Sequence, residues 1–169
     1  MILLIPKLIN KKICEELIEI FHRNPDLHEK YGYTKMCDLN RLEDDDFITA
    51  KKSALIIERI ASQTFGMVFI EYAQLVEWEK GSSMGLHTDD GREYTDLVSV
   101  TTLNDDYSGG EGYILEEDIT VTPGTGKTVI FNGQEYNHSV KKVTDGNRYT
   151  LIIWYTKNIS KAVTLDFNL

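Results

Sequence analysis

Apolar residues recur at two different periods along this chain, helical in its first third and strand-like after it. Asn10 is placed to cap a helix that carries Ile13, Leu17, Ile20 and Phe21 on one face. Asn24-Pro25-Asp26 stops it, because proline cannot continue the hydrogen-bond ladder. Residues 26–48 are polar, rich in Tyr, Asp and Asn, and without a clean period; they read as a long excursion with room for a short helix or strand. Thr49 reads as the cap of a second helix, with Leu55, Ile56, Ile60 and Phe65 as its apolar positions and Gly66 as its end.

From residue 67 the period shortens. Met67–Glu79, rich in Val, Ile, Tyr and Phe, reads as one or two strands, and Leu97–Leu103, Gly112–Leu115, Thr128–Phe131, Ser139–Val143 and Tyr149–Thr156 as further ones. Turn-forming residues separate them at Asp89-Asp90-Gly91, Ser108-Gly109-Gly110, Pro123-Gly124-Thr125-Gly126, Asn132-Gly133 and Asp145-Gly146-Asn147. Short strands at close spacing predict a sandwich or barrel of the jelly-roll kind. Helices first and strands afterwards predict the α+β class, with N-terminal helices packed on the outside of one sheet. A length of 169 residues suits one domain over 1–169, helical over about 1–66 and β over about 67–157.

Charge narrows the choice of partner. With 27 acidic against 18 basic residues the net charge is -9, which repels phosphate backbones, so no nucleic acid is expected. The basic pairs Lys11–Lys12, Lys51–Lys52 and Lys141–Lys142 are far apart in sequence. Cys14 and Cys37 form neither a disulfide framework nor a zinc ribbon. Met1–Pro6 is apolar but too short for a signal peptide, and no apolar run is long enough to span a bilayer. A cytoplasmic protein without a membrane partner is the expectation.

The histidines carry the chemistry. His22 and His28, in or just after the first helix, read as surface residues. His87 and Asp89, two apart, point to one face of a strand and supply an imidazole and a carboxylate side by side. His138 is the best candidate for a third ligand, and two histidines with one carboxylate favour Fe(II) with open positions. Taken alone, Asp89 also suits the start of a turn, and His138 a satisfied core histidine. Arg148, ten positions after His138 on a strand-like run, is costly to bury unless an anion pairs with it. Its guanidinium fork suits a carboxylate.

From Leu75 to Thr156 the chain resembles the prolyl 4-hydroxylase branch of the 2-oxoglutarate and Fe(II)-dependent dioxygenases. The resemblance lies in a series of pieces in order: Trp78-Glu79-Lys80-Gly81, His87-Thr88-Asp89-Asp90, Leu103-Asn104-Asp105-Asp106 and Gly109-Gly110-Glu111. Pro123 to Lys127 leading into Val129-Ile130-Phe131 comes next, then His138-Ser139-Val140, Val143 to Tyr149, and Trp154. It implies a double-stranded β-helix with N-terminal helices packed against it. It implies that His87, Asp89 and His138 bind the iron and act in catalysis, and that Arg148 binds the C5 carboxylate of 2-oxoglutarate. Thr102 occupies a position that often contacts the same carboxylate. Trp78 stands where the family usually has a tyrosine that helps hold the cosubstrate; its indole N–H donates from a different place. The implied cofactors are Fe(II), 2-oxoglutarate and O2, with ascorbate as accessory reductant. The implied reaction is hydroxylation of an unactivated C–H, on a peptidyl proline in a protein or peptide partner.

Other readings stay open at this level. The same chemistry suits a free amino acid or another small molecule. A nucleic-acid demethylase of the AlkB type would want a second arginine after Arg148 and a basic groove. A cupin-like or jelly-roll binding module would need no intact set of His87, Asp89, His138 and Arg148. Gly109-Gly110 and Gly124/Gly126 read as turns, and Gly124-Thr125-Gly126-Lys127 lacks the spacing of a phosphate loop. Residues 26–48, with Tyr31, Tyr33, Arg41 and the acidic run Glu43–Asp46, suit a lid over a peptide groove, and Asp90–Asp96 suits a substrate contact.

Overall fold

The structure is a computed structural model that describes residues 1–91 and 95–162. The chain opens with β1 (Leu3–Ile5) and α1 (Lys11–Arg23), followed by β2 (Glu29–Tyr31), β3 (Thr34–Asp38) and α2 (Asp44–Phe65). Ten strands follow: β4 (Phe69–Trp78), β5 (Met84–His87), β6 (Leu97–Thr102), β7 (Ser108–Gly109), β8 (Gly112–Ile114), β9 (Ile119–Val121), β10 (Thr128–Phe131), β11 (His138–Val140), β12 (Val143–Asp145) and β13 (Arg148–Thr156). An antiparallel seven-stranded sheet runs β1-β10-β6-β13-β4-β3-β2, and a four-stranded sheet runs β5-β11-β8-β9. This is the α+β jelly roll that the pattern predicts.

Period-2 alternation gives the large sheet two working faces. Ala73 and Leu75 of β4 and Leu151, Ile153 and Tyr155 of β13 point to the helices and form the main core with Leu17, Ile20 and Phe21 of α1 and Ala54, Ile57 and Ala61 of α2. The alternate residues, Val76, Trp78, Arg148 and Ile152, point the other way and line a cavity that residues of the small sheet also line. The same two strands therefore hold the core with one set of side chains and form the cavity with the other. Asn10 caps α1 as expected, its Oδ1 accepting from the Ile13 N–H at 3.0 Å.

The second helix begins at Asp44, five residues before the expected cap. Three aspartates in its first turn suit the positive end of the helix dipole, and Arg23 of α1 pairs with Asp46 at 2.6 Å. Its core face is built from Ala50, Ala54, Ile57 and Ala61, whereas Leu55 and Ile56 are exposed. Small residues let α2 lie close to the sheet, while of the large apolar positions that the sequence offers, Ile60 and Phe65 pack at the edge of the core. The polar excursion is a hairpin: β2 and β3 extend the large sheet, β3 pairs with β4 from Thr34↔Trp78 to Asp38↔Gln74, and the Tyr33 carbonyl accepts from the Glu79 N–H. His28 is half-buried, stacked on Phe21 at 3.9 Å rather than lying free on the surface.

Glu77, on the helix-facing side of β4, is nearly fully buried. Its carboxylate accepts from Tyr149 Oη (2.6 Å), Asn147 Nδ2 (2.9 Å) and Lys35 Nζ (2.9 Å), tying β3, β4 and the start of β13 together. Burial opposes its ionisation, but the bonds from Tyr149 and Lys35 outweigh it and hold the group below the usual carboxylate range. A folded-state value below the unfolded one means that the stabilisation is complete above the unfolded value, roughly 4.3. It is lost as pH falls through the folded value. Glu77→Gln is expected to lower stability at neutral pH by about 2 kcal/mol. Urea unfolding at a series of pH values checks this; the difference from wild type should shrink on acidification below about pH 4.

Candidate metal and anion site

His87 closes β5 and His138 opens β11, and the register of the small sheet sets them directly opposite each other, ring centroids 4.3 Å apart. Each ring is oriented by the main chain two residues before it: His87 Nδ1 lies 2.8 Å from the Gly85 carbonyl and His138 Nδ1 3.0 Å from the Tyr136 carbonyl. A carbonyl only accepts, so both Nδ1 atoms carry the proton and both Nε2 lone pairs face inward. Burial pulls the His138 value below that of an ordinary histidine, although the Tyr136 bond and Asp89 oppose it. The ring is thus neutral near pH 7, as a ligand must be.

Asp89 lies beyond the end of β5, not on it as the spacing suggests. Its main-chain N–H donates to the Gly133 carbonyl at 2.8 Å. A Cβ at residue 133 would stand 2.5 Å from Asp89 Oδ2, so the glycine of the Asn132-Gly133 turn is what admits this carboxylate. Trp154, on the large sheet, donates its indole N–H to Oδ2 at 3.1 Å and leaves Oδ1 turned to the histidines, 3.9 Å from each Nε2. The three donor atoms lie within 4.8 Å of one another. Two nitrogens and an oxygen bound at roughly 2.1 Å to one ion would sit about 3–4 Å apart. The set therefore fits a divalent transition metal and leaves positions open.

The cavity reached by these ligands has a volume of about 220 Å³ and is walled by Val76, Met84, Val98, Val100 and Ile152. Arg148 also lines it, 4% exposed, with Nε and Nη1 lacking any partner. The Trp78 ring covers the guanidinium at 5.2 Å. The Trp78 indole N–H donates to Thr150 Oγ1 at 3.1 Å, so it is committed within the protein rather than aimed at a bound molecule. Thr102 is buried on β6 opposite Thr150 and lines a smaller cavity, about 50 Å³, that also reaches Arg148. An anion would supply the missing partner of Arg148, and the apolar walls between it and the three candidate metal ligands suit a short hydrocarbon chain. Among the described residues the structure thus gathers His87, Asp89, His138, Arg148 and Trp78 around one cavity.

Sequence reasoning passed over four residues of this site. In the sequence Trp154 only marks the resemblance, Gly133 and Gly110 read as ordinary turns, and nothing local singles out Tyr107. The Tyr107 side chain faces Arg148. Tyr31 of β2 lines the cavity although 71% of it is exposed, so it stands at the mouth. Of the proposed contact segment Asp90–Asp96, residues 92–94 lie outside the described residues. No described helix is long and apolar enough to cross a membrane.

The model of the 2OG-Fe(II) oxygenase superfamily matches residues 72–156, half of the chain. A Xenopus tropicalis protein named 2-oxoglutarate and iron-dependent oxygenase domain-containing protein 3 is 35% identical over 74 residues, covering 42% of this chain and 23% of its own. Prolyl 3-hydroxylase 2 of Homo sapiens is 38% identical over 69 residues, covering 37% of this chain and 10% of its own. The matched segment thus spans less than a quarter of either relative. A Trichoplax adhaerens prolyl hydroxylase, solved with a hypoxia inducible factor oxygen degradation domain peptide, superposes with a TM-score of 0.78. The match covers 92% of this chain and 83% of that one at 12% identity, which is a likeness of fold.

The link from Trp154 to Asp89 gives a direct expectation. Trp154→Phe keeps the ring but removes the N–H, and should weaken divalent metal binding by 10- to 100-fold, on the order usual for such outer partners. Titration with Mn(II) followed by electron paramagnetic resonance, with a thermal melt to check folding, measures it.

Proposed function

The chain belongs to the 2OG-Fe(II) oxygenase superfamily, and on that premise we propose that it hydroxylates proline within a peptide. It would use Fe(II), 2-oxoglutarate and O2, with succinate and carbon dioxide as co-products. The observation that carries this reading is the presence, in one apolar cavity, of a His/Asp/His donor set and a buried arginine with two unpartnered nitrogens. A metal alone would leave Arg148 unexplained, and an anion alone would leave the three converging ligands unexplained. A molecule with a chelating keto-acid at one end and a carboxylate at the other answers both needs.

In this reading His87, Asp89 and His138 hold the iron and Arg148 holds the far carboxylate of 2-oxoglutarate. When bound, the metal and cosubstrate supply the oxidising power for C–H hydroxylation. The protein's own part is placement and exclusion. The Tyr136 and Gly85 carbonyls keep both imidazoles aimed inward, and Trp154 keeps Asp89 turned to them. Val76, Val98, Val100 and Ile152 keep water from the cosubstrate chain. The exposed ring of Tyr31 at the mouth offers a flat apolar surface of the kind on which proline-rich segments dock. A prolyl hydroxylase among the relatives and another among the folds support a peptidyl proline as the target.

The test is a peptide array rich in proline, incubated with protein, Fe(II), 2-oxoglutarate and ascorbate in air. Peptide-dependent succinate formation is expected, with one oxygen added to proline, and His138→Ala should lower it by at least about a thousandfold. Amino-acid analysis reads which proline carbon is oxidised. Stimulation by a free amino acid and by no peptide would replace the substrate with a small molecule. Arg148→Ala should raise the 2-oxoglutarate requirement about a hundredfold; an unchanged requirement removes its assigned role.

A further inference from the structure

The anchor arginine is enclosed on several sides. Trp78 covers a face of the guanidinium and donates its own N–H elsewhere, to Thr150. Gly110, at φ 67°, packs against the side chain: a Cβ there would lie 3.1 Å from Arg148 Cδ and equally 3.1 Å from Tyr107 Cε2. The missing side chain at residue 110 therefore lets the phenol and the arginine stem come together over it. Tyr107, half-buried between β6 and β7, turns its oxygen toward the guanidinium. Nε and Nη1 still lack partners, so the phenol meets the guanidinium without using those two nitrogens.

Building on the function proposed above, we infer that Tyr107 is a positioning residue for the far carboxylate of the cosubstrate. Its oxygen accepts from Arg148 and fixes the plane of the fork, so that the free N–H groups stay turned to the anion. A guanidinium buried at the end of a strand has freedom about its last torsions, and bidentate pairing with a carboxylate is lost when the plane rotates. Trp78 limits rotation out of the ring plane, and Tyr107 supplies the polar contact that sets rotation within it. The role is specific to the five-carbon dicarboxylate, because a keto-acid without the second carboxylate makes no use of Arg148.

The experiment compares 2-oxoglutarate with pyruvate, which keeps the keto-acid and lacks the far carboxylate. Binding of each to Mn(II)-loaded protein without oxygen is measured by calorimetry for wild type, Tyr107→Phe and Tyr107→His. For Tyr107→Phe the Kd of 2-oxoglutarate should rise about tenfold, with the Kd of pyruvate and the melting temperature unchanged; Tyr107→His, which returns a polar partner, should fall between. An unchanged Kd for 2-oxoglutarate, or an equal loss for both acids, overturns the role of Tyr107. Wild-type protein that binds 2-oxoglutarate no better than pyruvate overturns the anchor reading of Arg148 itself, and Tyr107 falls with it.

Discussion

A guanidinium that has left water and kept two nitrogens without hydrogen-bond partners is among the most costly things a small domain can hold, several kcal/mol against folding. Burial works against the charge of Arg148, and the Tyr107 oxygen offsets only part of that. The strand that carries it must therefore be held by other means. β13 is the central strand of the large sheet, paired on one side with β4 along its whole length and on the other with β6. On the opposite face, the neighbours of Arg148 in sequence, Asn147 and Tyr149, both bond to Glu77, and Trp78 beside Glu77 lies across from Arg148. One face satisfies a buried anion internally, while the other leaves a buried cation open to a ligand.

The three candidate metal ligands follow a different logic, since no one element holds them. Two come from neighbouring strands of the small sheet, and the third from a turn that is fastened to the other turn at Gly133 and to the large sheet through Trp154. The geometry of the triad thus depends on the spacing between the two sheets. The helices and their alanine-lined contact fix the position of the large sheet from behind, so α1 and α2 bear on the site without lining it.

Much of this architecture was legible in the chain. Thr128–Phe131 forms a strand with the bounds that its apolar run predicts, and the last strand begins one residue before its predicted start. The His-x-Asp spacing and the later His and Arg stand out because metal ligands and buried cations are scarce residue types in apolar strands. What escaped depends on approach between distant segments. Nothing local marks Gly133 as the space for Asp89, or Gly110 as the space between Tyr107 and Arg148. The early start of α2 escaped because aspartates in a first helical turn look the same as aspartates in a loop. β9 escaped because a short edge strand carries little apolar signal.

The hairpin at the cavity mouth is the feature with the widest consequence. Its turn is two residues long, its second strand is paired throughout with β4, and its tip is fastened to Glu79. Tyr31 is therefore presented on a fixed ledge, and guests meet a doorway whose frame is already set. A guest that fits such a frame need not spend binding energy on ordering the host, so weak apolar contacts suffice to hold it. The cost falls on versatility: a frame held by that much backbone pairing would sort its guests by outline before any chemistry begins.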